Sequence, residues 1–194
     1  MDMPYDKQSD IADDALLKLY ANGDEVAAQV LTLRLTPRVF SQAFRMLGDR
    51  DEAEDVTQEA LIRLWKVAPD WRQGEAKVTT WLYRVVANLC KDQMRKVRGL
   101  RLDVISEPAD STLGPVVQMQ ERARSNALQA ALATLPARQR QAVVLRHIEG
   151  LGNPEIADIL NVSVEAVESL TARGKRMLIK VLADQKEVLG FSDD

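Results

Sequence analysis

Few residues in this 194-residue chain can carry covalent or metal chemistry. Its one cysteine, Cys90, has no partner for an internal disulfide, and its one histidine, His147, has no ligand cluster around it. Both read as core or surface residues. There is no glycine-rich phosphate loop, metal-ligand spacing or nucleophile motif, so an enzyme finds no support. The residue types and spacings favour binding instead. The run Pro154-Glu155-Ile156-Ala157-Asp158-Ile159-Leu160-Asn161-Val162-Ser163-Val164-Glu165-Ala166-Val167 reads as two short helices joined by a three- or four-residue turn. Pro154 suits a first helical position, and Glu155 favours the positive end of the helix dipole. Asn161 tolerates the positive φ such a turn needs, and Ser163 is a good N-cap for the second helix. Ile156, Ala157, Leu160 and Val167 supply apolar contacts, with small Ala157 where the helices must approach closely. This is the helix-turn-helix pattern, whose second helix enters the DNA major groove. A helical hairpin without a ligand is the alternative.

A second binding constellation lies on the long helix that starts at Thr79. At 100° per residue, Arg84, Asn88, Lys91 and Arg95 fall on the side of Trp81, while Leu82, Val85, Val86 and Leu89 take the opposite face with Val97 beside them. An aromatic ring beside phosphate-binding cations is the arrangement expected for splayed bases of single-stranded DNA. Trp71 and Arg72, in the preceding loop, offer a second platform. The alternative is that Trp81 merely caps the edge of a core.

The elements that must position these groups are helical almost throughout. Residues 11–22 read as a short helix ended by Asn22-Gly23. Residues 25–47 have helical period, although Pro37 should kink or split them. Gly48-Asp49 is a stop, and the next helix, to about residue 68, carries Ala53, Val56, Ala60, Leu61, Leu64 and Val67 on one stripe. No window alternates long enough for a sheet. Pro108, Gly114 and Pro115 punctuate residues 99–115, which have few apolar anchors and read as a linker. Helices resume near Val116, break at Pro136 and stop at Gly150 before the helix-turn-helix. The expected architecture is all-α, with two helical domains at 10–98 and 116–188 joined by the 99–115 tether.

Composition agrees with a folded protein: 46% hydrophobic and 28% charged residues. No apolar run reaches a membrane span, and the acidic N-terminus lacks a signal-peptide core, so a cytoplasmic location is expected. The net charge of -3 hides an uneven distribution. Residues 1–60 carry 13 acids against 6 bases, whereas residues 61–194 carry 16 against 20. Bases cluster at Arg84, Lys91, Arg95, Lys96, Arg98 and Arg101, and again at Arg173, Lys175, Arg176 and Lys180. Two basic patches behind an acidic front end suggest two DNA contacts plus a surface for another partner.

Three strings then carry a family resemblance. Asp51-Glu52-Ala53-Glu54-Asp55-Val56-Thr57-Gln58-Glu59-Ala60-Leu61-Ile62-Arg63-Leu64-Trp65 resembles the polymerase-binding region of sigma factors. Thr79-Thr80-Trp81-Leu82-Tyr83-Arg84-Val85-Val86-Ala87-Asn88 resembles the promoter-melting helix that follows it. Leu135-Pro136-Ala137-Arg138-Gln139-Arg140 with the helix-turn-helix looks like region 4 of the same family. Length and layout are similar to the compact extracytoplasmic-function sigma factors, over about residues 12–182.

The resemblance implies a non-catalytic promoter-specificity subunit of bacterial RNA polymerase, with no cofactor and no metal. On that basis Asp51, Glu54, Asp55, Gln58 and Glu59 meet the polymerase clamp helices, although a solvated acidic helix face explains the same charges. Region 4 meets the flap. Trp71, Arg72, Lys77, Trp81, Arg84, Asn88, Lys91 and Arg95 capture the minus-ten strand, and the 71–77 loop sets the flipped-base preference. The acidic linker threads near the active site and RNA exit path. Ser163, Glu165, Ala166, Glu168, Ser169, Arg173, Lys175 and Arg176 meet the minus-thirty-five element. An anti-sigma factor is the further expected partner, covering part of the 51–65 helix and the helix-turn-helix domain.

One departure concerns the recognition helix, where many family members place cations and this chain has Glu168 and Leu170. Leu170 reads as core, Arg173, Lys175 and Arg176 as phosphate contacts, and Glu165 or Glu168 as acceptors from cytosine N4. The competing reading is a stand-alone helix-turn-helix regulator with an N-terminal sensing domain. The modest cation count of the recognition helix yields an expectation. The free chain should bind duplex promoter DNA weakly and gain specificity only with core polymerase. Nanomolar sequence-specific binding by the free chain at physiological salt, in a fluorescence titration, contradicts it.

Overall fold

The computed structural model describes residues 10–72, 74, 77–100 and 116–183. Among them there are eight α-helices and no strand, as the apolar periodicity requires. Helices α1 (Asp13–Ala21), α2 (Glu25–Leu47), α3 (Arg50–Val67) and α4 (Val78–Leu100) form the N-terminal unit. The C-terminal unit comprises α5 (Val116–Ala133), α6 (Ala137–Val143), α7 (Asn153–Leu160) and α8 (Val164–Ala183). The expected tether beyond Leu100, the chain past Ala183 and the side chains of Val97 and Arg98 lie outside the described residues.

Local chemistry sets the helix ends. Asp24 caps α2 by accepting the N–H groups of Val26 and Ala27, and Asp49 caps α3 by accepting that of Glu52. Between these helices Gly48 turns the chain at φ 78°, a conformation that favours a residue without Cβ. Pro37 does not split α2, which runs unbroken for 23 residues. Proline removes only the bond to the carbonyl four residues back, that of Leu33, and Leu33 stands 60% exposed on the solvent side.

The N-terminal unit closes around a single core. Leu31, Leu35, Val39 and Met46 of α2 meet Ala53, Val56, Ala60 and Leu64 of α3, and Leu82, Val86 and Cys90 of α4. Each large aliphatic side chain buried there contributes roughly 1.5–3 kcal/mol. In the C-terminal unit the helix begun by α6 continues through a π-helical turn, Val144–Ile148. That wider turn lets consecutive residues serve different clusters: Val144 packs with Leu132, Leu135 and Val143, whereas Leu145 packs with Ile156, Ile159 and Val167.

Helices α6 and α8 touch almost backbone to backbone at Gly174. A Cβ there would stand 2.6 Å from Val143 Cγ2 and 3.3 Å from the carbonyl of Gln139. Gly174→Ala therefore sets an overpacking cost of about 1–3 kcal/mol against at most about 1 kcal/mol of better helix propensity. A net loss of stability is expected, read as a lower Tm in thermal unfolding. An unchanged or higher Tm contradicts the close approach.

Candidate nucleic-acid interface

Helix α3 separates two chemistries cleanly. Its Ala53, Val56, Thr57, Ala60 and Leu64 are buried, while Asp51, Glu54, Asp55 and Gln58 face solvent and Glu59 is half-buried. Arg50 pairs with Glu54 at 2.9 Å and Arg63 with Glu59 at 2.7 Å, both along the helix. Such exposed pairs contribute about 0.3–0.5 kcal/mol each and yield readily to another partner.

Helix α4 presents the expected cations but not the expected free aromatics. Trp71 is only 8% exposed and meets Trp81 edge-to-face, with ring centroids 6.0 Å apart. Trp81 is half-buried against the N-terminal core, which is the core-edge alternative of the sequence reading and not the open one. The cause is simple: the edge of one indole meets the face of the other at the core edge and keeps water from both. Trp71 is thus no open stacking platform, and Trp81 retains only a partly exposed ring. Arg72, Lys77, Arg84, Asn88, Lys91 and Arg95 are all exposed, with Arg95 3.8 Å from Asp92.

The helix-turn-helix follows the sequence reading closely. Asn161 holds φ 52° and ψ 58° at the end of α7. Ser163 Oγ accepts the N–H of Ala166 at 3.2 Å, capping α8. Along α8, Glu165, Glu168, Ser169, Arg173, Lys175 and Arg176 are exposed, Ala166 and Leu170 are half-buried, and Val167 is buried. Glu165 is held below the usual carboxylate range by hydrogen bonds from its own N–H and from Ser163. It therefore remains an acceptor at neutral pH.

The sequence did not anticipate that the two units pack on each other through α4. Tyr83 and Ala87 lie 100° around the helix from Leu82 and Val86, and they are buried against Leu145, Ile156, Ala157 and Ile159. Around this apolar seam Lys77 Nζ meets Glu155 Oε1 at 2.8 Å, and Arg84 donates to the Asp158 carbonyl at 2.8 Å. Gln141 donates to the Ala87 carbonyl, Arg140 to the Met46 carbonyl and Gln129 to the Phe44 carbonyl. Glu149 is half-buried and accepts from both Tyr83 (2.8 Å) and Ser41 (3.0 Å). A hydrogen bond to a charged group contributes about 1.5–3 kcal/mol, against about 0.2–1 for an exposed pair such as Lys77–Glu155. Glu149, Arg140 and Arg84 accordingly supply the charge-assisted ties across the seam. Burial and the Glu149 charge together push the Tyr83 phenol well above its ordinary range.

Comparison with known proteins places these elements. The sigma-70 region 2 family model matches residues 31–99, and the sigma-70 region 4 model matches residues 125–178. The extracytoplasmic-function RNA polymerase sigma factor SigW of Bacillus subtilis is 32% identical over 179 residues, covering 87% of this chain and 95% of its own. The chain belongs to the extracytoplasmic-function sigma factors. Another member, SigE of Mycolicibacterium smegmatis, is 34% identical over 171 residues; the match covers 84% of this chain and 65% of that protein. Among solved structures, CnrH in complex with the cytosolic domain of CnrY superposes with a TM-score of 0.66 at 25% identity, over 89% of this chain and 97% of that one. The sigma factor RpoE of Bartonella quintana, solved with the anti-sigma factor NepR, shares the fold at a TM-score of 0.63 and 23% identity, over 78% of this chain and 94% of its own. Region 2 of this sigma factor thus holds the α3 acids and α4 cations, and region 4 holds the helix-turn-helix.

Two candidate chemical groups remain outside these faces. His147 is exposed, and its pKa is lowered by partial burial and by the charges of Lys175 and Arg146. Cys90 is fully buried in the region 2 core, and burial pushes its thiol up to about 12. At pH 8 only about one molecule in 10,000 would then carry the thiolate. The native sigma factor should therefore leave Cys90 unmodified by a thiol-specific dye at pH 8, and chemical unfolding should release full labelling. Fast labelling of the native chain contradicts the packing of α4.

Proposed function

We propose that this sigma factor engages core RNA polymerase through the α3 face of Asp51, Glu54, Asp55, Gln58 and Glu59. It then opens promoter DNA with α4 and its preceding loop. The observation that carries the reading is the sorting of α3. The helix buries Ala53, Val56, Ala60 and Leu64 of one stripe, turns Asp51, Glu54, Asp55 and Gln58 to solvent and leaves Glu59 half-buried. Acids on that face suit a basic partner and repel DNA, whereas the neighbouring α4 face attracts it. Lys77, Arg84, Lys91 and Arg95 would then hold phosphates, with Arg72 and Asn88 beside them. Trp81 supplies a base stack at its exposed edge, and Trp71 supports it from below.

In region 4, Ser163, Glu165, Ala166, Glu168 and Ser169 stand nearest the base edges, with Arg173, Lys175 and Arg176 on the phosphates. The domain limits at 10–98 and 116–188 follow from this division. The protein has no catalysis of its own and acts where polymerase acts, in the cytoplasm. Among the described residues no helix is long and apolar enough to cross a membrane. An anti-sigma factor is a further partner of this chain, a reading supported by the fold shared with RpoE of Bartonella quintana, which was solved with the anti-sigma factor NepR.

Two variants separate the roles. Reversing both Asp51 and Asp55 to Lys should weaken core-polymerase binding at least tenfold in a competition assay. Trp81→Ala should leave that binding intact and reduce promoter opening, read by permanganate reactivity of unpaired thymines. The loss of one stacked base corresponds to about 1–3 kcal/mol. Loss of the thermal unfolding transition in Trp81→Ala would instead make Trp81 a core residue alone.

A further inference from the structure

The core face of α2 is aliphatic with one exception. Leu35, Val39 and Met46 recur on a single helical stripe, and Gln42 stands among them at 1% exposure. Its amide is only half satisfied. Nε2 donates to the carbonyl of Tyr83 on α4 at 3.2 Å, while the buried Oε1 accepts no hydrogen bond from any described residue. Thr57, the other buried polar side chain among the described residues, behaves differently. It donates to the Ala53 carbonyl of its own helix, a local bond that ties nothing together across the core.

An amide is a poor filler for this position. Methionine or leucine, of similar volume and without a strong acceptor, would pack there and leave no buried oxygen without a partner. What the amide adds is direction. Aliphatic contacts between two helices tolerate small rotations and slides, whereas a hydrogen bond to one particular carbonyl fixes both. Setting register is the best-attested use of a polar group in an apolar interface. A helical carbonyl has a second lone pair, so this bond requires no break in α4.

The position of that carbonyl decides what is fixed. Tyr83 lies between Leu82, buried in the region 2 core, and Arg84, exposed, and it follows Trp81 by two residues. Rotation of α4 at this point would swing Trp81 and Arg84 together relative to α2 and to the acidic face of α3. We propose that Gln42 is a positioning residue for promoter opening. It fixes the rotation of α4 on α2, so that the side carrying Trp81, Arg84, Asn88 and Lys91 meets the DNA strand at one defined angle to the polymerase-binding face. Gln42 touches no DNA itself, and the proposal rests on the assignment of that α4 side to the minus-ten strand.

The full-length chain tests this as Gln42→Met and Gln42→Leu, assayed in the holoenzyme beside Arg84→Ala. Both Gln42 variants should keep or raise the Tm of the wild type and compete equally for core polymerase. Their rate of promoter opening, followed by permanganate reactivity at saturating polymerase, should fall about tenfold, the scale on which small misplacements of binding groups act. A lowered Tm in both variants makes Gln42 a stability residue and overturns the proposal. So does opening at the wild-type rate in both variants while Arg84→Ala opens slowly. If Arg84→Ala also opens at the wild-type rate, the assignment of α4 to DNA fails first and the role of Gln42 falls with it. Should one Gln42 variant lose stability, the other decides by the same readouts.

Discussion

Helix α4 must bury side chains in two directions, and the rest of the molecule is arranged around that constraint. Leu82, Val86 and Cys90 enter the region 2 core, whereas Tyr83 and Ala87, a quarter-turn away, enter the region 4 cluster. Only one arc of the helix remains for solvent, and it holds Arg84, Asn88, Lys91 and Arg95. The cations are thereby confined to a strip at the border of the two units. A helix that packed on one side alone would leave Tyr83 exposed and would give region 4 nothing apolar to dock on.

The two packing directions differ in strength. The region 2 face belongs to an extensive core of aliphatic side chains shared by four helices, and breaking it would unfold the domain. The region 4 face offers one ring and one methyl group, ringed by hydrogen bonds that water or phosphate can replace. Region 2 contributes only Tyr83 and Ala87 to that cluster, far fewer buried residues than its own core holds, so region 2 keeps its core when the seam parts. A promoter-specificity factor has use for such an arrangement, because its two DNA-reading units must span separate promoter elements once polymerase holds them.

Much of this was legible in the sequence where a residue has one local job. Asn161, Ser163 and Val167 specify a turn, a cap and a core contact within a few positions of one another, and all three are found in those roles. The α3 stripe is equally direct, because period and burial coincide. Pro37 does not divide α2, since the missing hydrogen bond falls on a solvent-facing part of the helix. For Trp81 the wheel left solvent and core edge open, because it gives directions and not neighbours; Trp71, read as a loop platform, is buried with its ring against Trp81. Glu149 beside Gly150 reads as an ordinary helix end. Its meaning depends on Ser41 and Tyr83, which lie 108 and 66 positions away. Gly174 likewise signals nothing until Val143 is placed against it.

The central claim is that region 4 leaves α4 when the sigma factor joins polymerase. Double electron–electron resonance tests it directly, with spin labels at Leu33→Cys on α2 and Ile179→Cys on α8, both exposed. The buried thiol of Cys90 stays unlabelled. The free chain should give one narrow, short distance, and addition of core polymerase with promoter DNA should move it to longer values. The same short distance in the free chain and in the promoter complex would contradict the account.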